Sequence, residues 1–521
     1  MRKFLLFAVA LMLGFSSLAS EAFQVKYSQT TNSDRQLVFT LGDFHIDEVS
    51  INGQTFSTIV FGHNVTTSKK GWAQLPYLNS SVQISNDKNV SVDVIGSQYV
   101  DIQLQYPLLP SRGVIYRNQD PTTIPYEIDP ASVYDGWYPK SIATAEEPFI
   151  LRDVRGTNVK VYPFQYNAAQ NIVRVYTQVD VSVNDNQTAV INPKTRTSDV
   201  VLREMDAMYK SIFVNYAEYT KEALTVGNYG DILVICTERD EEAMQPFIDW
   251  KKEKGFNVFK EVVEVGTNVK TLVQSSYDAN PNILYVQLAG DWADVKCDLG
   301  GGDNAPMDPM LGCVEGTDWF PEIAVGRFSG TSAAHITIQV NKAINYEKTT
   351  TETTDWYSKS LGIGSMEGSG SGDDGEMDKT HVQNIYDYKL DPFSYDLHYP
   401  VYEPSANAGM VSSAVNEGVS IVNYCGHGSN TSWVTSGFGN SNIGNLSNGD
   451  KLPFIFSVAC VNGAFHQGEC FAEAWLKKEN GGAVMTLMAT INQPWQPPMR
   501  GQDYFNDILT GGYDYDNNVG N

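Results

Sequence analysis

Three scarcities narrow what this chain is. Cysteine is sparse, six in 521 residues, too few to staple a fold of this length, which excludes a disulfide-built scaffold. Basic charge is sparse too: 36 Lys and Arg stand against 61 Asp and Glu, a formal charge of −25. Such a surface repels phosphate backbones and argues against nucleic acid, while it suits cationic substrates or bound metal ions. Long apolar runs are missing beyond the first twenty residues or so, so no later segment reaches the length of a membrane span. No Cys-x-x-Cys or His-x-x-x-His spacing marks a zinc centre.

What is present divides along the chain. Met1-Arg2-Lys3, the apolar Phe4–Phe15 and small residues up to Ala22 have the three-part form of a secretory signal peptide over residues 1–22. The remaining length exceeds one core and predicts two or three domains. Residues 23–200 read as all-β: Val90–Val94 and Tyr99–Tyr106 alternate, and Val159–Tyr162 with Ile172–Val183 form a hairpin-like pair around Asn167–Asn171. Residues 201–225 read as a linker or processing zone within a polar, basic stretch, with Arg196 and Arg203 as candidate cleavage points. From residue 226 on, strands and helices alternate: strands at Asp231–Thr237, Ile283–Ala289, Leu361–Met366, Val419–Tyr424, Phe454–Cys460 and Ala483–Ile491, with helices between. That alternation predicts a doubly wound, mostly parallel α/β sheet flanked by helices. Its strand ends, at Asp291, Glu367, His427, Cys460 and Asn492, point to one edge, where open α/β sheets place their chemistry.

Two of these ends carry a nucleophile and a base. Cys460 closes the apolar run LPFIFSVAC and is followed by the turn signal Asn462-Gly463; His427 closes VSIVNYCGH 33 residues earlier, between two glycines. An imidazole favours the thiolate and later protonates a leaving amine. The backbone N–H groups of Gly428 and Cys460 are candidates for an oxyanion hole, and Glu367 is the carboxylate best placed to orient the histidine. His466, six residues past Cys460, is the rival base. Cys297 and Cys313 are spaced to close a loop, whereas Cys236, Cys425 and Cys460 lie in strand-like runs and are expected to include free thiols.

YCGHGS at Tyr424–Ser429, FIFSVACVNGAF at Phe454–Phe465, CFAEA at Cys470–Ala474 and TINQPWQPPMRGQD at Thr490–Asp503 resemble the gingipain family of secreted cysteine endopeptidases. PFILRDVRGTNVKVYPFQYN, upstream, resembles that family's β-rich propeptide, which keeps the enzyme latent until cleaved. The resemblance implies a caspase-like α/β domain with Cys460 as nucleophile, His427 as base and acid, and Glu367 as orienting carboxylate. It implies cleavage after Arg, possible tolerance of Lys, and an exported protein using type IX secretion. Asp378 maps to the carboxylate that binds the substrate guanidinium, a geometry suited to bidentate pairing; Trp495 and Met499 map to residues covering the arginine stem. Cys425 stands in the pocket wall where the family has threonine. Structural calcium is implied at Asp291, Asp318 and Glu322 with the main chain of Glu315 and Phe320; at Glu376 and His381; and at Glu473, Asp503 and the main chain of Phe465. Tyr504 departs from the acid expected at the last. The acidic loop Gly372–Asp378 also fits a structural ion. Arg112 and Arg117 in PSRGVIYR are candidates to fill the pocket in the latent chain. No organic cofactor is implied, and the family's members continue past the point where this chain stops. A sorting transpeptidase of the same fold and a surface adhesion protein with a vestigial site are the alternative readings.

Overall fold

The computed structural model describes residues 23–31, 34–62, 65–186, 188–197, 201–216, 229–348, 354–511, 513–514 and 519–520. The expected signal peptide and residues 217–225 of the expected linker lie outside the described residues.

The first unit is β throughout, apart from short turns of helix and a helix at its end. The strand Ile172–Asn186 pairs with Asn89–Gln103 on one side and with Asp34–Leu41 and Phe164–Asn167 on the other, all antiparallel. Its period-2 pattern turns Val173, Val175, Val179, Val181 and Val183 inward, each no more than 2% exposed. The hairpin partner is Phe164–Asn167 rather than the Val159 stretch. Val154–Val161 instead pairs with Leu78–Gln83 in a second sheet, because Pro163, which has no N–H to donate, separates the two strands. The segment Arg203–Ile212 is a helix, and Tyr209 and the adjacent Phe213 pack with Phe149, Val154 and, from the second unit, Leu284.

In the second unit the parallel α/β reading holds, divided between two sheets. The first contains β1 (Asp231–Thr237), β2 (Val258–Val263), β3 (Ile283–Ala289) and β4 (Ala324–Phe328) in the order β2-β1-β3-β4. The second contains β5 (Lys359–Gly364), β6 (Leu397–Tyr402), β7 (Ile421–Cys425), β8 (Phe454–Val458) and β9 (Met485–Met488) in the order β6-β5-β7-β8-β9. All pairings within both are parallel. The expected single edge is therefore split: Asp291 follows β3 in one sheet, while Glu367, His427, Cys460 and Asn492 follow strands of the other. A cavity of about 880 Å³ is lined by both β4 and β9, with Gln339 and Lys342 also facing it. Lys342 donates to the carbonyls of Trp475 and Leu476, and burial pushes its pKa down to about 7.

The second sheet rests on an aromatic cluster. Trp433, fully buried, stacks on Tyr424 at 4.8 Å, meets Phe471 and Trp475, and donates its indole N–H to Ser457 at 2.9 Å. All six cysteines are free. Cys297 and Cys313 are not bridged; burial raises their thiols to about 12 and about 11. Truncating Trp433→Ala removes the stack and the bond to Ser457, and is expected to cost about 3–5 kcal/mol. Chemical denaturation checks this, and a loss below about 1 kcal/mol would contradict the role assigned to the cluster.

Candidate active site

Three neighbouring strands, β5, β7 and β8, each end two or three residues before a reactive side chain. Cys425 closes β7 and His427 follows; Val458 closes β8 and Cys460 follows; Gly364 closes β5 and Glu367 follows. Parallel register carries all three to the same end of the sheet. The Glu367 carboxylate lies 2.6 Å from His427 Nε2. The His427 ring stands edge-on to Trp495 at 6.0 Å. Cys460 is 4% exposed, and its sulfur accepts from the Gln493 N–H at 3.4 Å. Burial raises the Cys460 thiol above its ordinary pKa, against the opposing effect of that amide. A Cβ at Gly428 would run into the Cys460 carbonyl, so only glycine lets the two loops approach this closely. His466 stands apart, against Trp292 and Gln467.

The turn after Cys460 is built differently from its sequence signal. Neither Asn462 nor Gly463 takes the left-handed conformation; Val461 does, with φ +50°. A β-branched residue there is strained, typically by about 1–3 kcal/mol. It is held by Val461 N–H to the Ile491 carbonyl and by Ala464 N–H to its own carbonyl, both 3.1 Å. Asn462 is a brace: fully buried, it donates to the carbonyls of Ser429 and Ser432 and accepts from Ser457. It ties the Cys460 loop to the His427 loop. Tyr424 completes the frame by donating to the His427 carbonyl at 2.6 Å. Tyrosine and asparagine inside otherwise apolar or turn-like runs were the available signals for these supports.

Beside Cys460 lies a closed pocket, and it is filled. Asp378, at the start of α1 (Asp378–Ile385), receives both terminal nitrogens of Arg117 at 3.0 Å, with both side chains fully buried. Ser365 donates to the same carboxylate at 2.7 Å. The Cys425 sulfur is 3.1 Å from the guanidinium and 3.2 Å from Asp378. Trp495 covers the guanidinium face at 4.3 Å, and Met499 is buried in the helix that follows. That helix, α2 (Gln496–Thr510), is fixed to β7 by Gln502 and Asn506, which both donate to Asn423. Burial opposes the charge on Arg117, yet contact with Cys425 and Asp378 leaves its pKa raised.

Arg117 arrives on a strand. Its N–H donates to the Gln493 carbonyl at 2.8 Å, Trp495 N–H donates to the Ile115 carbonyl at 3.0 Å, and Tyr116 pairs antiparallel with Pro494. The chain then reverses: Gln119 N–H donates to the Tyr116 carbonyl, and the Gln119 side chain accepts from Tyr116 N–H, both at 2.9 Å. Arg112 stays on the pocket rim, stacked on Tyr126 and bonded to Ser371 and Gly370.

The residues expected to hold calcium are placed unevenly. Among the described residues, no group of three or more His, Cys, Asp and Glu side chains is arranged to hold a metal ion. Glu322 is 1% exposed; one carboxylate oxygen accepts from Val314 and Glu315 N–H, the other has no partner, and burial raises its pKa to about 7. Asp318 accepts from Phe320 N–H and, across from the first unit, from Ile150 N–H and Asn192. The Glu315 carboxylate meets Lys194, while Asp291 receives the Ala293 N–H. Glu376 lies 3.4 Å from His381, and in the acidic loop Arg500 supplies positive charge to Asp373 and Asp374. Glu473 meets Ser329, Lys477 and the Cys470 N–H, Asp503 meets Lys389, and the Phe465 ring lies under Arg327. That last group, with its carboxylates matched to separate partners, does not fit a shared ion. Of the two candidate processing points, Arg196 is pinned by Asp278 at 2.8 Å, and Arg203 opens its helix.

The model of peptidase family C25 matches residues 226–520 and that of Propeptide_C25 matches residues 23–224. Gingipain R2 of Porphyromonas gingivalis is 34% identical over 498 residues, 93% of this chain and 67% of the relative. Lys-gingipain of the same organism is 24% identical over 530 residues, 97% of this chain and 30% of the relative. Among solved structures, the Arg-specific cysteine proteinase gingipain R matches with a TM-score of 0.52 and 35% identity over 55% of this chain and 68% of that one. A complex of Porphyromonas gingivalis RgpB pro- and mature domains matches at 0.52 and 36%, over 54% and 69%.

With its pKa raised, the Cys460 thiol holds less thiolate at neutral pH than a free cysteine. Alkylation of Cys460 in the intact chain, mapped by peptide mass spectrometry, is expected to be slow at pH 7. Its rate should climb with pH and reach half its plateau only above the pH at which an exposed cysteine titrates, and a rate already at its plateau at pH 7 would contradict this.

Proposed function

The chain belongs to peptidase family C25 and is a cysteine endopeptidase carrying its propeptide; from that premise we propose that it cuts after arginine and is held latent by Arg117. The observation that carries the reading is the bidentate Arg117–Asp378 pair in a dry pocket beside Cys460. Planar guanidinium matches a carboxylate in a way an ammonium does not. Cys425 and Trp495 complete the fit from the edge and the face of the group.

In the proposed reaction a substrate arginine takes the place of Arg117. Cys460 loses its proton to His427 and attacks the carbonyl carbon, and the Gly428 and Cys460 amides receive the negative oxygen. His427, oriented by Glu367, protonates the departing amine as the C–N bond breaks and the thioester forms. Water, losing its proton to His427, then hydrolyses the thioester and releases Cys460. In the latent chain the turn closed by Gln119 carries the residues after Arg117 away from this line. We read residues 1–22 as the export signal of a secreted or surface enzyme, and the basic region around Arg196 and Arg203 as its processing zone.

Calcium belongs to the same reading. Glu322, with its buried unmatched oxygen, is the anchor for an ion near Asp318, with Glu376 and His381 as a second candidate pair. Bound there, calcium would supply charge that fixes these loops.

Peptides ending in Arg, Lys or an uncharged residue before a reporter amine test specificity. Arginine is expected to be preferred, Arg117→Ala to raise the activity of the uncut chain at least tenfold, and Cys460→Ala to abolish activity. Losing Arg117 leaves Asp378 buried and unpaired, a penalty of about 3–5 kcal/mol on the latent state. No cleavage of any arginine peptide by the reduced, calcium-supplied protein would overturn the reading. For calcium, thermal unfolding is the readout: the ion should raise the midpoint of the wild-type chain and raise that of Glu322→Gln less.

A further inference from the structure

The inhibitory strand also records which substrate positions the enzyme reads. Over residues 114–117 burial alternates: Val114 is 60% exposed, Ile115 7%, Tyr116 44% and Arg117 0%. This is the period of an extended strand laid against an edge, with alternate side chains directed into the partner. The main chain alternates in step. Arg117 gives its N–H to Gln493 and Ile115 gives its carbonyl to Trp495, so both ends of the segment are bonded to the enzyme. Tyr116 faces Pro494, which has no N–H, and both main-chain polar groups of Tyr116 turn instead to Gln119.

We propose that the enzyme has a second specificity subsite, for a branched aliphatic side chain two residues before the arginine, and reads nothing at the position between. The proposal rests on the arginine-peptidase reading above, since it takes Arg117 to stand where a substrate arginine stands. Its substrates are then segments of the form aliphatic, any residue, arginine. Gln493–Trp495 recognises them by two main-chain bonds, Asp378 by the arginine, and the site that buries Ile115 by the aliphatic group. Because Pro494 offers the middle residue no donor, its side chain stays in solvent and its identity is free to vary.

The test uses the full chain after its activity has reached a plateau on incubation, with four reporter peptides ending Ile-Tyr-Arg, Ser-Tyr-Arg, Ile-Ser-Arg and Ser-Ser-Arg. Replacing Ile by Ser is expected to lower kcat/KM about tenfold or more, as loss of a buried aliphatic side chain implies. Replacing Tyr by Ser should change it less than about twofold. Equal rates for Ile-Tyr-Arg and Ser-Tyr-Arg, or a larger effect at the middle position, would overturn the subsite while leaving the arginine preference standing. If none of the four is cut, the peptidase reading fails, and hydrogen exchange in the intact chain decides the subsite separately. Ile115→Ser should then speed exchange of the Arg117 and Trp495 amides about tenfold, with Tyr116→Ser as the silent control; no difference between the variants would refute it.

Discussion

A buried charge pair joins the two halves of this molecule. Asp378 and Arg117 are both removed from water and separated in sequence by 261 residues, so neither is tolerable there alone. Desolvating two ions is costly, and close pairing offsets the cost only where the geometry is good and the remaining polar atoms are matched. Two parallel bonds, the Ser365 hydroxyl, the Cys425 sulfur and the Trp495 face meet that condition at every polar atom of the pair except Arg117 Nε, which is buried without a partner. A pocket shaped to select one cation is by the same physics unfavourable when empty and dry. Here a residue of the same chain, Arg117, answers that need.

Glu367, His427 and Cys460 are positioned by side chains outside the proposed reaction. Strand register brings Glu367, His427 and Cys460 to one end of the sheet, but register alone sets positions only to the nearest residue. Asn462 fixes the spacing between the Cys460 and His427 loops, and Tyr424 fixes the His427 main chain. The aromatic cluster beneath keeps Tyr424 in place. Val461 stays in a conformation it would otherwise leave because both of its main-chain groups are bonded.

Much of this was legible in the residues, and the parts that were not share a cause. Apolar runs ending in Cys460 and His427 announced the strands and the edge, since period and burial are written locally. Glu367 and Asp378 were legible through motif resemblance. The division into two sheets was not, because nothing in β4 or β9 states which edge it leaves unpaired. The partner of Ile172–Val183 was misplaced because two stretches of equal β character compete for it, and Pro163 settles the choice. Asn462 read as a turn residue, its commonest role, though its amide is a buried cross-brace. Either Arg112 or Arg117 was a candidate for the pocket; only the strand that seats Ile115 and Arg117 on the same face distinguishes them.

The pocket is not the only place where the two units hold each other. Far along the chain, Arg152 donates to the carbonyls of Pro281, Ile283 and Glu322, Asn192 and the Ile150 amide reach Asp318, and Lys194 meets Glu315. Two separate attachments make the propeptide a bivalent ligand of its own enzyme, each keeping the other at high effective concentration. Severing the connecting chain then changes the linkage without dissolving the complex. On the proposed reading, cutting and switching on become two events separated by a dissociation, so the delay between them is set by how firmly the second attachment holds.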